Sequence, residues 1–148
     1  IIETGTLNHA ACSGVTSAID FIASIGEGST LRGKLESAYR RISIHEFELA
    51  KHLYDSLQKE DKIKVIGQDF SSKKRTPTVS FVHNDFSPQD VCKKLASENI
   101  CAWDGHFYAL KAIQKLGLES AGGVTRLGVS VYNTKQEVDR VVEVIKNL

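Results

Sequence analysis

The sequence predicts a small α+β domain introduced by long helices, and three observations carry that expectation. The apolar period is helical up to the polar break Glu60-Asp61-Lys62, and beyond it short runs of strand-like alternation begin. The chain has two prolines, Pro77 and Pro88, and each stands at the start of a predicted element rather than inside one. Strand-like and helical runs then interleave to the C-terminus. The predicted order is helix, long helix, strand, strand, helix, strand, helix, strand, helix. That order suits a short mixed or mainly antiparallel sheet with helices on one face.

The first helix is expected over Ala10 to Ile25, with Val15, Ala18, Ile19, Ile22 and Ile25 at helical spacing and Asn8 as N-cap. Ala10, Ala11, Ser13 and Gly14 crowd its first turns with small side chains, which suits close approach to another backbone or a ligand. Gly26-Glu27-Gly28-Ser29-Thr30 ends it. A long helix follows over residues 31–59, carrying Leu35, Tyr39, Ile42, Phe47, Leu49, Leu53 and Leu57 on one stripe. At the helical rise per residue it would span about 40 Å, a length typical of a connection between domains. His45 and His52 on it lack acidic partners at metal-ligand spacing and read as surface or core-edge residues.

Ile63 to Ile66 and Thr78 to Val82 read as strands, joined by a polar loop. Ser87 as N-cap, Pro88 at the first helical position and Asp90 in the first turn mark a helix start, with Asn99 as its stop. Ile100 to Trp103 reads as a third strand, and Ala109 to Leu116 as a short helix ending at Gly117. In the last strand Leu127, Val129 and Val131 alternate to one side, while Arg126, Gly128, Ser130 and Tyr132 share the other. Thr134 with Glu137 is a capping-box pattern, and Val138, Val141, Val142 and Ile145 line the final helix.

Composition narrows the functional classes. The chain has 148 residues and a net charge of +1, with its basic residues dispersed, so no nucleic-acid footprint stands out. The densest basic run, Lys73-Lys74-Arg75, sits in a polar stretch and reads as a solvated loop. No apolar run approaches the roughly 20 residues of a membrane span, and no signal-peptide pattern opens the chain. Three cysteines in unrelated contexts form no disulfide framework, read as buried inert thiols and point to a reducing, cytoplasmic setting. The chain lacks methionine and begins Ile1-Ile2-Glu3-Thr4, so it is expected to be a processed chain or a piece of a longer one.

Four local features invite a chemical reading. Glu3 to His9 places Gly5 and the Thr6 hydroxyl just before a helix start, a suitable anion cradle or simply a capped loop. Trp103 to Tyr108 gathers Asp104, Gly105, His106 and Tyr108 after a strand, which suits a ligand rim, proton transfer or a structural turn. Arg126, opposite the apolar set of its strand, could clamp a carboxylate with its guanidinium fork or face water. Of the cysteines, Cys101 alone lies near polar groups in sequence.

Their order is more specific than any one of them. Glu-x-Gly-Thr-x-Asn, a small-residue helix, a long helix and a small domain follow one another. That domain carries Trp-Asp-Gly-His-x-Tyr and then Gly-Gly-x-x-Arg-x-Gly-x-x-x-Tyr-Asn-Thr-x-x-Glu-Val-Asp-Arg. Together they resemble the C-terminal part of the cysteine desulfurase-like class V aminotransferases, pyridoxal-phosphate enzymes of fold type I. The resemblance implies an α/β parent fold. Residues 1–30 would be the tail of a large cofactor-binding domain, 31–59 an interdomain helix and 60–148 the small α+β domain.

It also implies roles. Gly5 and Thr6 match the segment that reaches the cofactor phosphate of the neighbouring subunit in a homodimer. Arg126 matches the arginine that holds the substrate carboxylate, and Gly105 with His106 opens the loop over the active site. Two departures follow. The position of the desulfurase nucleophile falls on Tyr108, so the usual persulfide route is in doubt and a lyase, transaminase or epimerase-like reaction on an amino acid stays open. The Schiff-base lysine belongs to the preceding region, so this chain by itself is expected to be inert and to need a missing N-terminal large domain. The competing expectation is a non-catalytic small-molecule or partner-binding α+β domain that dimerises through its long helix.

Overall fold

The computed structural model of the chain describes residues 5–71 and 75–148. Ile1, Ile2, Glu3, Thr4, Lys73 and Lys74, named above, therefore lie outside the described residues. The chain divides into two compact units, residues 1–44 and 45–148.

The first unit holds helix α1 (His9–Ile25) and the beginning of α2 (Leu31–Leu57). Asn8 caps α1 as expected, its side chain accepting the Ala11 N–H at 3.0 Å. The two helices meet at Gly26, where an added Cβ would stand 2.0 Å from the Lys34 carbonyl oxygen. Only glycine permits that approach, and Ala38 seals it without exposed surface. Arg41 then donates to the Ile25 carbonyl at 2.8 Å, placing a cation on the C-terminal end of α1. Val15, Ile19 and Phe21 stay exposed, while Ile22 and Ile25 are half-buried and Ala23 is buried, so only the C-terminal end of α1 is covered within its own unit.

The second unit is a four-stranded sheet in the order β1-β2-β4-β3, with every neighbouring pair antiparallel. Its strands are β1 (Ile63–Ile66), β2 (Thr78–His83), β3 (Trp103–Gly105) and β4 (Val124–Gly128). Its helices are the second part of α2, with α3 (Pro88–Ser97), α4 (Leu110–Lys115) and α5 (Lys135–Lys146). Ser87 and Pro88 start α3 and the Thr134–Glu137 capping box starts α5, both as the sequence indicates. Val79, Phe81 and Leu127 on one face of the sheet pack with Leu53 and Leu57 of α2, Val91 and Leu95 of α3, and Val138 and Val142 of α5. On the other face Val82 and Val124 pack with Ile113 of α4 and with Leu118 and Phe107. Two small cores thus sandwich the sheet.

The third strand departs from expectation. It runs from Trp103 to Gly105, not from Ile100 to Trp103. Asn99 takes a left-handed φ of 58° and the Ile100 N–H returns to the Leu95 carbonyl at 2.9 Å. Ile100 is consequently spent closing α3 and packing on the main core, and pairing with β4 starts three residues later. The Arg126 strand is also shorter than its alternation suggests. It ends at Gly128, because Ser130 and Asn133 close a turn on one another. Among the described residues no helix is long and apolar enough to cross a membrane.

Candidate functional site around Arg126

Antiparallel pairing of β3 with β4 builds this site. Arg126 pairs with Trp103 on one side and with Ser80 on the other, so the three side chains share the sheet face away from the larger core. The next pair along, Asp104 with Thr125, points to the opposite face. Thr125 is fully buried there and donates to the Pro88 carbonyl at 3.4 Å. Asp104 reaches the Cys92 thiol, and burial, with the Asp104 charge second, pushes that thiol up to about 11. The third pair, Gly105 with Val124, ends the strand.

At this end the two strands nearly touch. Gly123 has φ 104°, and a Cβ on it would stand 2.2 Å from the Gly105 carbonyl oxygen. Beyond Gly105 the loop turns sharply, with Phe107 and Tyr108 at φ 52° and 61°. Bulky residues seldom adopt that region. The Tyr108 N–H donates to His106 Nδ1 at 3.1 Å and the Ala109 N–H to the His106 carbonyl at 2.7 Å. The turn throws the Tyr108 side chain fully into solvent, at 99% exposure, and folds Phe107 back against the sheet. There the guanidinium carbon of Arg126 lies 3.8 Å from the centre of the Phe107 ring.

Of the residues singled out from sequence, Arg126, Gly105, His106 and Tyr108 are thus brought to one end of the sheet. Asp104 is on the adjoining strand β3 but faces the other core. Gly5 and Thr6 belong to the first unit. Both are exposed, and a Cβ at Gly5 would meet nothing within 4 Å. Because the Asn8 side chain takes only the Ala11 amide, the amides of His9 and Ala10 are left without an intrahelical acceptor. A hydroxyl, two helix-start amides and a glycine fit a phosphate group in donor chemistry.

The remaining candidates resolve differently. His45 and His52 tie α2 to its neighbours: Nε2 of His45 bonds the carbonyl of Asn133 in the turn before α5 at 3.0 Å, and Nε2 of His52 meets the Asp139 carboxylate of α5 at 2.5 Å. No group of three or more possible metal ligands occurs among the described residues. Cys12 and Cys101 are exposed rather than buried, which corrects the reading of all three thiols as interior. The correction for Cys101 has the same cause as the shift of β3, since Cys101 lies in the connection and not in a strand. A cavity of about 380 Å³ opens on the helix-covered side, walled by Cys101, Leu127, Tyr132, Asn133 and Arg140 among others. Arg126 is not on its wall. Trp103 and Phe107 were missed from sequence as site neighbours. Only the strand register reveals the first, and only the left-handed turn reveals the second.

An exposed arginine presented from a short antiparallel sheet beside an aromatic loop offers the forked N–H donors that a planar anion can accept. Residues 1–141 match the family described as aminotransferase class-V, and the chain belongs to that family. It is similar to a probable cysteine desulfurase of Methanothermobacter thermautotrophicus, at 29% identity over 99% of this chain and 33% of the relative. A probable cysteine desulfurase of Staphylococcus epidermidis is 28% identical over 97% of this chain and 31% of its own length. The apo structure of a cysteine desulfurase from Thermococcus onnurineus superimposes with TM-score 0.67 at 28% identity, covering 79% of this chain and 29% of that one. A cysteine desulfurase structure from Escherichia coli shares the fold over 98% of this chain and 31% of its own, with TM-score 0.73 at 22% identity. The chain therefore spans about a third of the length of these two curated relatives.

Proposed function

We propose that this chain is the C-terminal portion of a pyridoxal-phosphate enzyme acting on a small amino acid, with Arg126 holding the substrate carboxylate. The observation that carries the reading is the placement of Arg126 beside the His106 loop on the sheet face turned away from the main core. A guanidinium there offers two parallel N–H donors to a planar carboxylate. His106 and Tyr108 would line the substrate side, with Gly105 providing the turn. In this reading residues 1–30 end the large domain, 31–59 form the connecting helix and 60–148 form the small domain.

The first unit supports the reading in its own way. The exposed apolar stripe of α1 suits coverage by a large N-terminal domain, and Gly5 and Thr6 with the α1 start suit the cofactor phosphate across a homodimer. Bound pyridoxal phosphate would supply an electron sink for chemistry at the substrate α-carbon. The residues of this chain bind and orient. The lysine that carries the cofactor would come from the large domain, so this portion by itself would be inert. Its setting would be cytoplasmic, where the three thiols stay reduced.

Tyr108 in place of a nucleophilic cysteine argues against sulfur transfer by a loop persulfide. Lyase, transaminase or epimerase-like outcomes remain the open reactions. Replacing Arg126 by alanine in the parent protein tests the proposal. Amino-acid KM should rise by about 30-fold or more while folding is preserved, the scale of a lost charge-assisted pair. Unchanged substrate kinetics would overturn it.

A further inference from the structure

We infer that Phe107 is a positioning residue for the carboxylate clamp: its ring fixes the plane of the Arg126 guanidinium so that the edge of the fork, and not its face, meets the ligand. This rests on the proposed role of Arg126. Phe107 is held from two directions. One side of the residue packs with Val82, Ile113, Leu118 and Val124, and Arg126 lies over its ring at 3.8 Å. The backbone is held as well, in a left-handed turn at both Phe107 and Tyr108 that the two bonds to His106 maintain. An ordinary extended residue at position 107 would carry its side chain elsewhere, so the unusual turn and the stacked pair are parts of one arrangement.

The consequence for recognition is geometric. Guanidinium is planar and weakly hydrated, and it stacks readily on an aromatic face. A ring covering one face restrains rotation about the terminal bonds of a long, otherwise exposed side chain. The in-plane N–H groups are left for a bidentate partner. A small amino acid, bound through its carboxylate, would meet a fork already oriented and would forfeit less side-chain entropy on binding. An amine of the same shape without the carboxylate would gain nothing from it.

The test uses the parent protein. Calorimetry with the twenty common L-amino acids identifies the best binder, which is then compared with its decarboxylated amine in wild type, Phe107→Leu, Phe107→Tyr and Arg126→Ala. Phe107→Leu should weaken the amino acid by roughly five- to thirtyfold, the value of a partly desolvated cation–π contact. It should leave the amine unchanged, and Phe107→Tyr should restore wild-type affinity. Wild-type affinity in Phe107→Leu, with Arg126→Ala impaired, would overturn this inference alone. Wild-type affinity in Arg126→Ala, or binding of no amino acid by the wild type, would remove the clamp itself and the inference with it. If Phe107→Leu does not fold, the wild-type Arg126 side-chain proton resonances decide. An upfield ring-current displacement supports the stack, and its absence overturns it.

Discussion

The guanidinium carbon of Arg126 lies over the Phe107 ring, 3.8 Å from its centre, and joins a strand residue to a loop residue. The strand supplies the charge and the left-handed turn supplies the surface on which it rests. If Arg126 holds the carboxylate as proposed, charge alone is not the property that matters there. Arg126→Lys keeps the cation but loses the planar fork and most of the stacking. In the parent protein it should raise amino-acid KM by about tenfold, near 1.4 kcal/mol, with kcat less affected. Steady-state kinetics checks the split.

The closure of β3 on β4 depends on a missing side chain. At Gly123, φ 104° and a Gly105 carbonyl 2.2 Å from any added Cβ forbid alanine without backbone movement. Gly123→Ala should cost about 2 kcal/mol or more in urea unfolding, a sum of strain and steric displacement. Gly117→Ala is the comparison. It also has positive φ, at 69°, but open space around it, so it should cost less.

His83 gives the fold a pH dependence. It is buried, its Nδ1 accepts the Asp85 N–H at 3.0 Å, and burial holds its pKa below the ordinary 6.5 despite the opposing pull of Asp85. Between the lowered value and 6.5 the unfolded chain binds more protons than the folded one, so stability rises with pH through that window. The contribution is fully present above 6.5 and is lost as pH falls through the folded value. His83→Asn should flatten this part of the stability profile, measured as urea midpoints from pH 5 to 8.

The thiols should separate by environment. Cys92, pushed up to about 11 by burial and by Asp104, would be thiolate in only about one molecule in a thousand at pH 8. Iodoacetamide at that pH should modify the exposed Cys12 and Cys101 of the chain first and reach Cys92 at a comparable rate only after unfolding. Peptide mapping over time follows all three.

Much of the fold was legible from local chemistry. Asn8, the Ser87-Pro88 pair and the Thr134–Glu137 box each marked a helix start, because capping is a short-range exchange of hydrogen bonds. The third strand was misplaced because Ile100 has high strand propensity but is recruited by the left-handed Asn99 turn to finish α3. Tertiary closure outweighed propensity there. At the candidate site, alternation alone put Arg126 on the side away from Leu127. The Trp103 neighbour depends on strand register, and the Phe107 stack on two positive φ angles in bulky residues. Neither leaves a signature in composition or period.

In the proposed reading this chain would supply the carboxylate clamp and a phosphate-binding segment, and the large domain the lysine that carries the cofactor. Incubation of the chain with pyridoxal phosphate, borohydride reduction and peptide mapping test it most directly. Only scattered, substoichiometric labelling of exposed lysines, not displaced by inorganic phosphate, is expected. Stoichiometric labelling of one lysine, blocked by phosphate, would contradict it.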